Sequence, residues 1–344
     1  MSNREGTRPL IFVCAAATVA LLAAPALATA AESPTKQLDT TSARGPPGSP
    51  SPPEPSPQPG NPTFDLKIKG AKHGKVRVGK RIRAFGTLRP WQPGKQVAVT
   101  LMRGDRTLKK EVLGVIRGEG DAGHFQLRGP VLVQPGHYQA TAQLAGSAAT
   151  ASTHKFKPKY PSLHHGSKGR DVKLFNRLLD RQGYVPSNGR RYSTRTGRAV
   201  LAYRKVHGMA RITRATSGIF KKLAGGRGAY KLKHPGAGKH VEVNIGRQVM
   251  VLADDGKAQR TYPVSTGKAS TPTVRGHFRF YRRQPGFNSV GMYYSVYFHG
   301  GYAVHGYHDV PATYPASHGC VRTPIPDARS VYNWVQLGMS IYVY

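Results

Sequence analysis

Cysteine is nearly missing from this chain. Two occur in 344 residues, Cys14 and Cys320, so no disulfide framework can hold the mature protein together. Acidic side chains are scarce as well: 16 Asp and Glu stand against 52 Lys and Arg, a formal net charge of +36. That imbalance gives affinity for polyanions, which means nucleic acid inside a cell and anionic wall polymers or lipid head groups outside it. Apolar residues run on only from Leu10 to Leu27. No other stretch approaches the ~18–20 apolar residues of a membrane span.

That one run decides the compartment. Arg4 and Arg8 precede it, and Ala26-Leu27-Ala28 and Ala28-Thr29-Ala30 offer small-x-small cleavage sites. Residues 1–31 therefore read as a secretory signal that is removed, with an uncleaved membrane anchor as the alternative. An exported protein of the cell wall is expected, and nucleic acid is excluded as its partner. Residues 32–62, with Gly45-Pro46-Pro47-Gly48 and Ser51-Pro52-Pro53, read as a Pro-rich disordered linker.

Three folded segments follow, for a multidomain, mainly β chain. Residues 63–158 alternate apolar and polar positions, as at Val97, Val99 and Leu101, between Gly and Pro punctuation. A seven-strand-like sandwich is expected, resembling immunoglobulin-like modules without their cysteine pair. Residues 160–226 switch to helical spacing: Val172, Phe175 and Leu179, then Ala199, Val200 and Tyr203, then Ile219, Phe220 and Leu223. Residues 238–344 return to strands, with a hairpin at Asp255-Gly256 and one short helix carrying Pro326 in its first turn.

The chemistry concentrates late in the chain. A lone thiol kept in an oxidising compartment is a liability unless it reacts. Cys320 sits in Ser317-His318-Gly319-Cys320-Val321-Arg322, and His305-Gly306 lies 15 positions before it. A thiol needs a base or a cation to become a nucleophile near neutral pH. His318 shares a face with Cys320 if the segment is extended, and His305 reaches the thiol if one strand, a loop and a second strand bring it back. Gly319 carries no side chain beside the sulfur and leaves amides free for an oxyanion. His305, His308, Asp309, His318 and Cys320 are also metal-ligand types, but their spacing fits no compact zinc pattern. No metal or cofactor is expected.

The stretch from Tyr302 to Arg322 resembles the active-site signature of the L,D-transpeptidase (YkuD-type) catalytic domain: His-Gly, a loop, then Ser-His-Gly-Cys, an apolar residue and Arg or Asn. Tyr262 to Gly267, Thr271-Pro272 and Gly276-His277-Phe278 fit the same family, so the likeness covers about residues 238–344. One departure is Tyr307, where Thr or Ser commonly follows His-Gly. Residues 160–226 resemble a three-helix peptidoglycan-binding module through Gly166, Gly169, Val172, Leu174, Gly183-Tyr184, Tyr192, Thr196, Ala199-Val200 and Leu223.

These resemblances imply a β-rich catalytic fold acting on peptidoglycan stem peptides through a thioester. They imply Cys320 as nucleophile and His305 as base, with Gly306 orienting the imidazole. They imply that Ser317, His318 and Gly319 shape the site and its oxyanion donors. Arg322 either pairs with a substrate carboxylate or makes a structural salt bridge. Tyr293 either assists the oxyanion or packs as a core or lid residue. The alternatives for the whole chain are an L,D-carboxypeptidase using water and a non-catalytic wall-binding protein.

Overall fold

The computed structural model describes residues 62–344, so the expected signal and nearly all of the expected Pro-rich linker lie outside the described residues. The described residues all belong to one unit, Gln58–Tyr344. Ten strands come first: β1 (Thr63–Ile68), β2 (Lys75–Arg77), β3 (Arg81–Arg89), β4 (Gln96–Arg103), β5 (Arg106–Gly114), β6 (Ile116–Arg117), β7 (Gly123–Val131), β8 (Tyr138–Leu144), β9 (Thr150–Ser152) and β10 (Lys157–Lys159). They make two four-stranded sheets, β1-β3-β7-β6 and β5-β4-β8-β9, beside a β2/β10 pair. The period-2 pattern drives this. Ile82, Ala84 and Leu88 of β3 meet Val97, Val99 and Leu101 of β4 in one core. The sandwich thus has eight strands where seven were expected. The extra edge, β6, is two residues long, too short to show any periodicity.

Three helices follow, α1 (Arg170–Arg181), α2 (Thr194–Val206) and α3 (Ser217–Ala224). Ser193 caps α2 by accepting from the Thr196 amide, and Thr216 caps α3 by accepting from the Ile219 amide. Their core of Val172, Phe175, Leu179, Ala199 and Phe220 also takes in Val78 from the sandwich.

The last segment holds β11 (His240–Asn244), β12 (Val249–Asp254), β13 (Lys257–Pro263), β14 (Gly276–Arg279), β15 (Arg282–Phe287), β16 (Tyr293–His299), β17 (Tyr302–Tyr307), β18 (Val321–Pro324), α4 (Ile325–Trp334) and β19 (Ser340–Val343). Asp255 and Gly256 both have positive φ, as a tight two-residue hairpin requires. Two sheets result, β13-β12-β11-β19-β14 and β15-β16-β17-β18. Val241, Val243 and Ile341 of the first share a core with Val296, Val304 and Val321 of the second. Gly306 lets α4 close on β17, because a Cβ there would lie 2.7 Å from the Ala328 Cβ. Among the described residues no helix is long and apolar enough to cross a membrane.

The helices are seated on this last segment. The Thr261 amide donates to the Gly183 carbonyl at 2.7 Å. A Cβ at Gly183, whose φ is +78°, would come within 2.4 Å of the Ala258 carbonyl oxygen. Buried Lys205 of α2 donates from Nζ to the Val264 carbonyl at 3.0 Å. Arg198 of α2 grips Asp327 of α4 with two hydrogen bonds, at 2.8 and 3.0 Å.

Candidate active site

β17 and β18 run parallel, with Val304 opposite Val321 and His305 opposite Arg322. Continuing that register by one residue sets Cys320 beside Ala303. The Ala303 amide faces the Cys320 thiol, which sets the sulfur two positions along β17 from His305. The opposite face of β17, at Val304 and Gly306, is covered by the core and α4.

His305 is buried, and its Nδ1 lies 2.9 Å from the Gly306 carbonyl oxygen. A carbonyl only accepts, so Nδ1 carries the proton and Nε2 keeps a free lone pair. Burial pushes the imidazole pKa down to about 4; the Gly306 carbonyl opposes this, and the Arg322 charge adds to it. Burial pushes the Cys320 thiol up, while the Ala303 amide and the Arg322 charge favour the thiolate. The pair therefore rests as neutral thiol and neutral imidazole. The sulfur also lies 3.8 Å from the Gly301 carbonyl oxygen, which accepts its S–H.

The segment before the cysteine bends instead of extending, so His318 points to solvent and does not share the thiol's setting. Ser317 shapes the bend. Its Oγ donates to the Cys320 carbonyl at 2.6 Å and accepts from the Gly319 amide at 3.0 Å. Gly319 is required twice over: its φ is +117°, and a Cβ would lie 2.6 Å from the Tyr302 ring. Since Ser317 occupies the Gly319 amide, the amides of His318 and Cys320 are the ones without a hydrogen-bond partner among the described residues. Both are free to donate.

Arg322 makes the structural contacts. It sits over the Tyr307 ring at 4.1 Å and reaches Asp309 Oδ2 at 3.5 Å. The Tyr307 ring in turn meets His305 edge-on. Tyr293 is not brought to the thiol. It pairs with Gly306, out of phase with His305, and its ring packs on Phe287 and Tyr294. Among the described residues no group of three His, Cys, Asp or Glu side chains converges to hold a metal.

Sequence reasoning missed several supports. The Ser265 Oγ accepts from the Ala316 amide and donates to the Tyr314 carbonyl, and its backbone pairs with Arg322. Buried Gln248 fixes the next residue, accepting from the Thr266 amide at 2.9 Å and donating to Thr266 Oγ1 at 2.6 Å. Arg211, from beyond α2, donates to the Thr313 carbonyl at 2.6 Å. Ser265-Thr266-Gly267 carries a local signal as part of the Tyr262 to Gly267 motif; the partners from distant segments carry none.

Comparison with known proteins gives a family match on this segment and structural matches that extend beyond it. The sequence-family model of the L,D-transpeptidase catalytic domain, YkuD, matches residues 238–343. A Bacillus subtilis (strain 168) protein assigned as the L,D-transpeptidase YkuD is 29% identical over 107 residues, 30% of this chain and 65% of that protein. The chain thus spans about 65% of the length of that curated relative. A crystal structure of an L,D-transpeptidase from Xylanimonas cellulosilytica is 30% identical, covering 54% of this chain and 98% of that one, with a TM-score of 0.47. An L,D-transpeptidase from Mycobacterium smegmatis is 14% identical, covering 82% and 99%, with a TM-score of 0.28. The family-model match and the curated relative support membership of residues 238–343 among L,D-transpeptidase catalytic domains.

Proposed function

We propose that the protein is an exported peptidoglycan L,D-transpeptidase with Cys320 as nucleophile and His305 as general base. The observation that carries this is a thiol held against the Ala303 amide, two positions along β17 from an imidazole whose Nδ1–H is tied to the Gly306 carbonyl and whose Nε2 is free. Cys320 Sγ attacks the carbonyl carbon of the L-centred third residue of a tetrapeptide stem, and the thiol proton passes to His305 Nε2. The oxyanion is held by the amides of His318 and Cys320. Collapse breaks the peptide bond to the terminal D-Ala, whose amine takes the proton from the imidazolium. A thioester remains on Cys320. An amine of a second stem then attacks it, gives its proton to His305, and leaves as a cross-linked product with the thiol restored.

In this reading residues 1–31 direct export, and the sandwich is an immunoglobulin-like spacer. The helical segment is a peptidoglycan-binding-like module that raises the local concentration of stems. The test is mass spectrometry of the protein incubated with tetrapeptide-bearing muropeptides. A thioester on Cys320 and dimers that have lost one D-Ala support transfer. Tripeptide monomers alone, at high acceptor concentration, identify a carboxypeptidase, and unchanged muropeptides a non-catalytic wall protein.

A further inference from the structure

A groove of about 800 Å³ opens between the sandwich and the helices, far along the chain from the thiol. Its walls are fixed relative to each other. Val78 of the sandwich is buried in the helical core, Arg77 pairs with Asp171 of α1, and the Tyr160 hydroxyl donates to the Val133 carbonyl at 2.7 Å. The lining includes Arg103 from the sandwich, Arg190, and Arg170, Lys173, Arg177 and Arg181 from α1, and no carboxylate. Among the described residues none of these six cations has an acidic partner within salt-bridge distance.

The α1 cations fall at successive spacings of three and four, one stripe along the helix. Like charges at such spacings destabilise a helix, so the stripe works against folding. Its neighbours below are ordinary core: Leu174 and Leu178 are buried. Five of the six groove cations are arginines, which stay charged at every physiological pH and present a planar fork to oxyanions. A ligand matched to permanent, regularly spaced positive charge is one with permanent, regularly spaced negative charge.

We propose that this groove is a second binding site, for a linear phosphodiester polyanion. The assignment is independent of the acyl-transfer reading, because it uses none of the residues around Cys320. α1 lays its four cations about one helical turn apart, so consecutive phosphates along an extended polymer each meet a guanidinium or the Lys173 ammonium. Arg103 and Arg190 close on the chain from the sides.

The experiment is a titration of the full protein with purified poly(glycerol phosphate) across a series of salt concentrations. Arg177→Gln/Arg181→Gln is compared with Lys69→Gln/Lys72→Gln, which removes the same charge from an exposed loop away from the groove. The groove variant is expected to bind roughly tenfold more weakly, with a slope of log K against log salt shallower by about two. Its melting temperature should be unchanged or higher, since a repulsion has gone. The loop variant should bind nearly as the natural protein does. Equal losses from both variants would overturn the site, leaving only diffuse charge. Tighter groove-dependent binding of polygalacturonate carrying the same number of charges would overturn the phosphodiester assignment.

Discussion

Cys320 and His305 are kept neutral by the same burial that brings them together, and that has a pH signature. The imidazole loses its base form only below about 4. The acid limb of kcat/KM is therefore expected near pH 4, well below the ordinary histidine value, and a limb near 6.5 would contradict a buried neutral base. The sign for stability follows. Between the ordinary value and about 4 the unfolded chain binds a proton that folded His305 refuses, so stability falls as pH drops through that window. His305→Gln should slow acylation on the order of 10²–10⁴-fold, and Cys320→Ala should abolish it with the fold intact. Gly319→Ala tests the loop by another route. Positive φ and the Tyr302 ring both resist the added methyl, at a cost of about 1–3 kcal/mol. Adding Tyr302→Leu should recover part of the lost melting temperature but not all of it, since the backbone conformation stays strained.

At the scale of elements, the parallel β17/β18 pair sets His305 opposite Arg322, two residues after Cys320, and α2 supports the strand leading to Ser265 from behind. Lys205 is the unusual part of that support. Burial, together with the Arg211 charge, pushes its amine down to about 7 while the Nζ hydrogen-bonds the Val264 carbonyl. Above about 7 the folded amine is neutral while the unfolded chain still binds a proton, so Lys205 makes stability rise with pH from there toward the ordinary lysine range. Lys205→Met should flatten that rise; thermal melts of both proteins from pH 6 to pH 9.5 measure it, and parallel curves would contradict it. Elements of this kind were only half legible in the sequence. The strand alternation and the Asp255-Gly256 hairpin declare themselves locally. The His305-Gly306 and Ser317 to Cys320 stretches also stand out locally, because a lone thiol with histidine and glycine close by is visible in the residue types alone. The bend at His318 did not, since it is set by Ser317 folding back on its own segment and by Tyr302 packing from a neighbouring strand. Nor did the contacts of Arg211 and Lys205, whose partners are backbone carbonyls that any residue supplies.

For the whole molecule, the helices are tied into the segment that carries His305 and Cys320. Arg198 and Asp327 form a nearly buried ion pair, with the carboxylate side chain 4% exposed. Removing one partner of such a pair costs on the order of 3 kcal/mol, because the other charge stays buried without compensation. Arg247 also reaches back to the Val206 carbonyl, and Tyr230 and Leu232 pack with Val206 over β12. A fragment beginning at residue 230 would lose Arg198, Lys205 and Arg211 together. It would leave Asp327 without its guanidinium and free Thr313, on the loop that leads to Cys320, from its anchor. The fragment is therefore expected to melt at a lower temperature than residues 62–344 and to acylate more slowly. Arg198→Ala in the full chain should reproduce most of the stability loss, whereas Arg211→Ala should reproduce the slower acylation with little change in melting. Differential scanning calorimetry and single-turnover acylation of the four proteins separate these effects. A fragment that matches the longer chain in both measurements would show that the helices contribute nothing to the catalytic body, and their contacts with α4 and the nucleophile loop would then be passive.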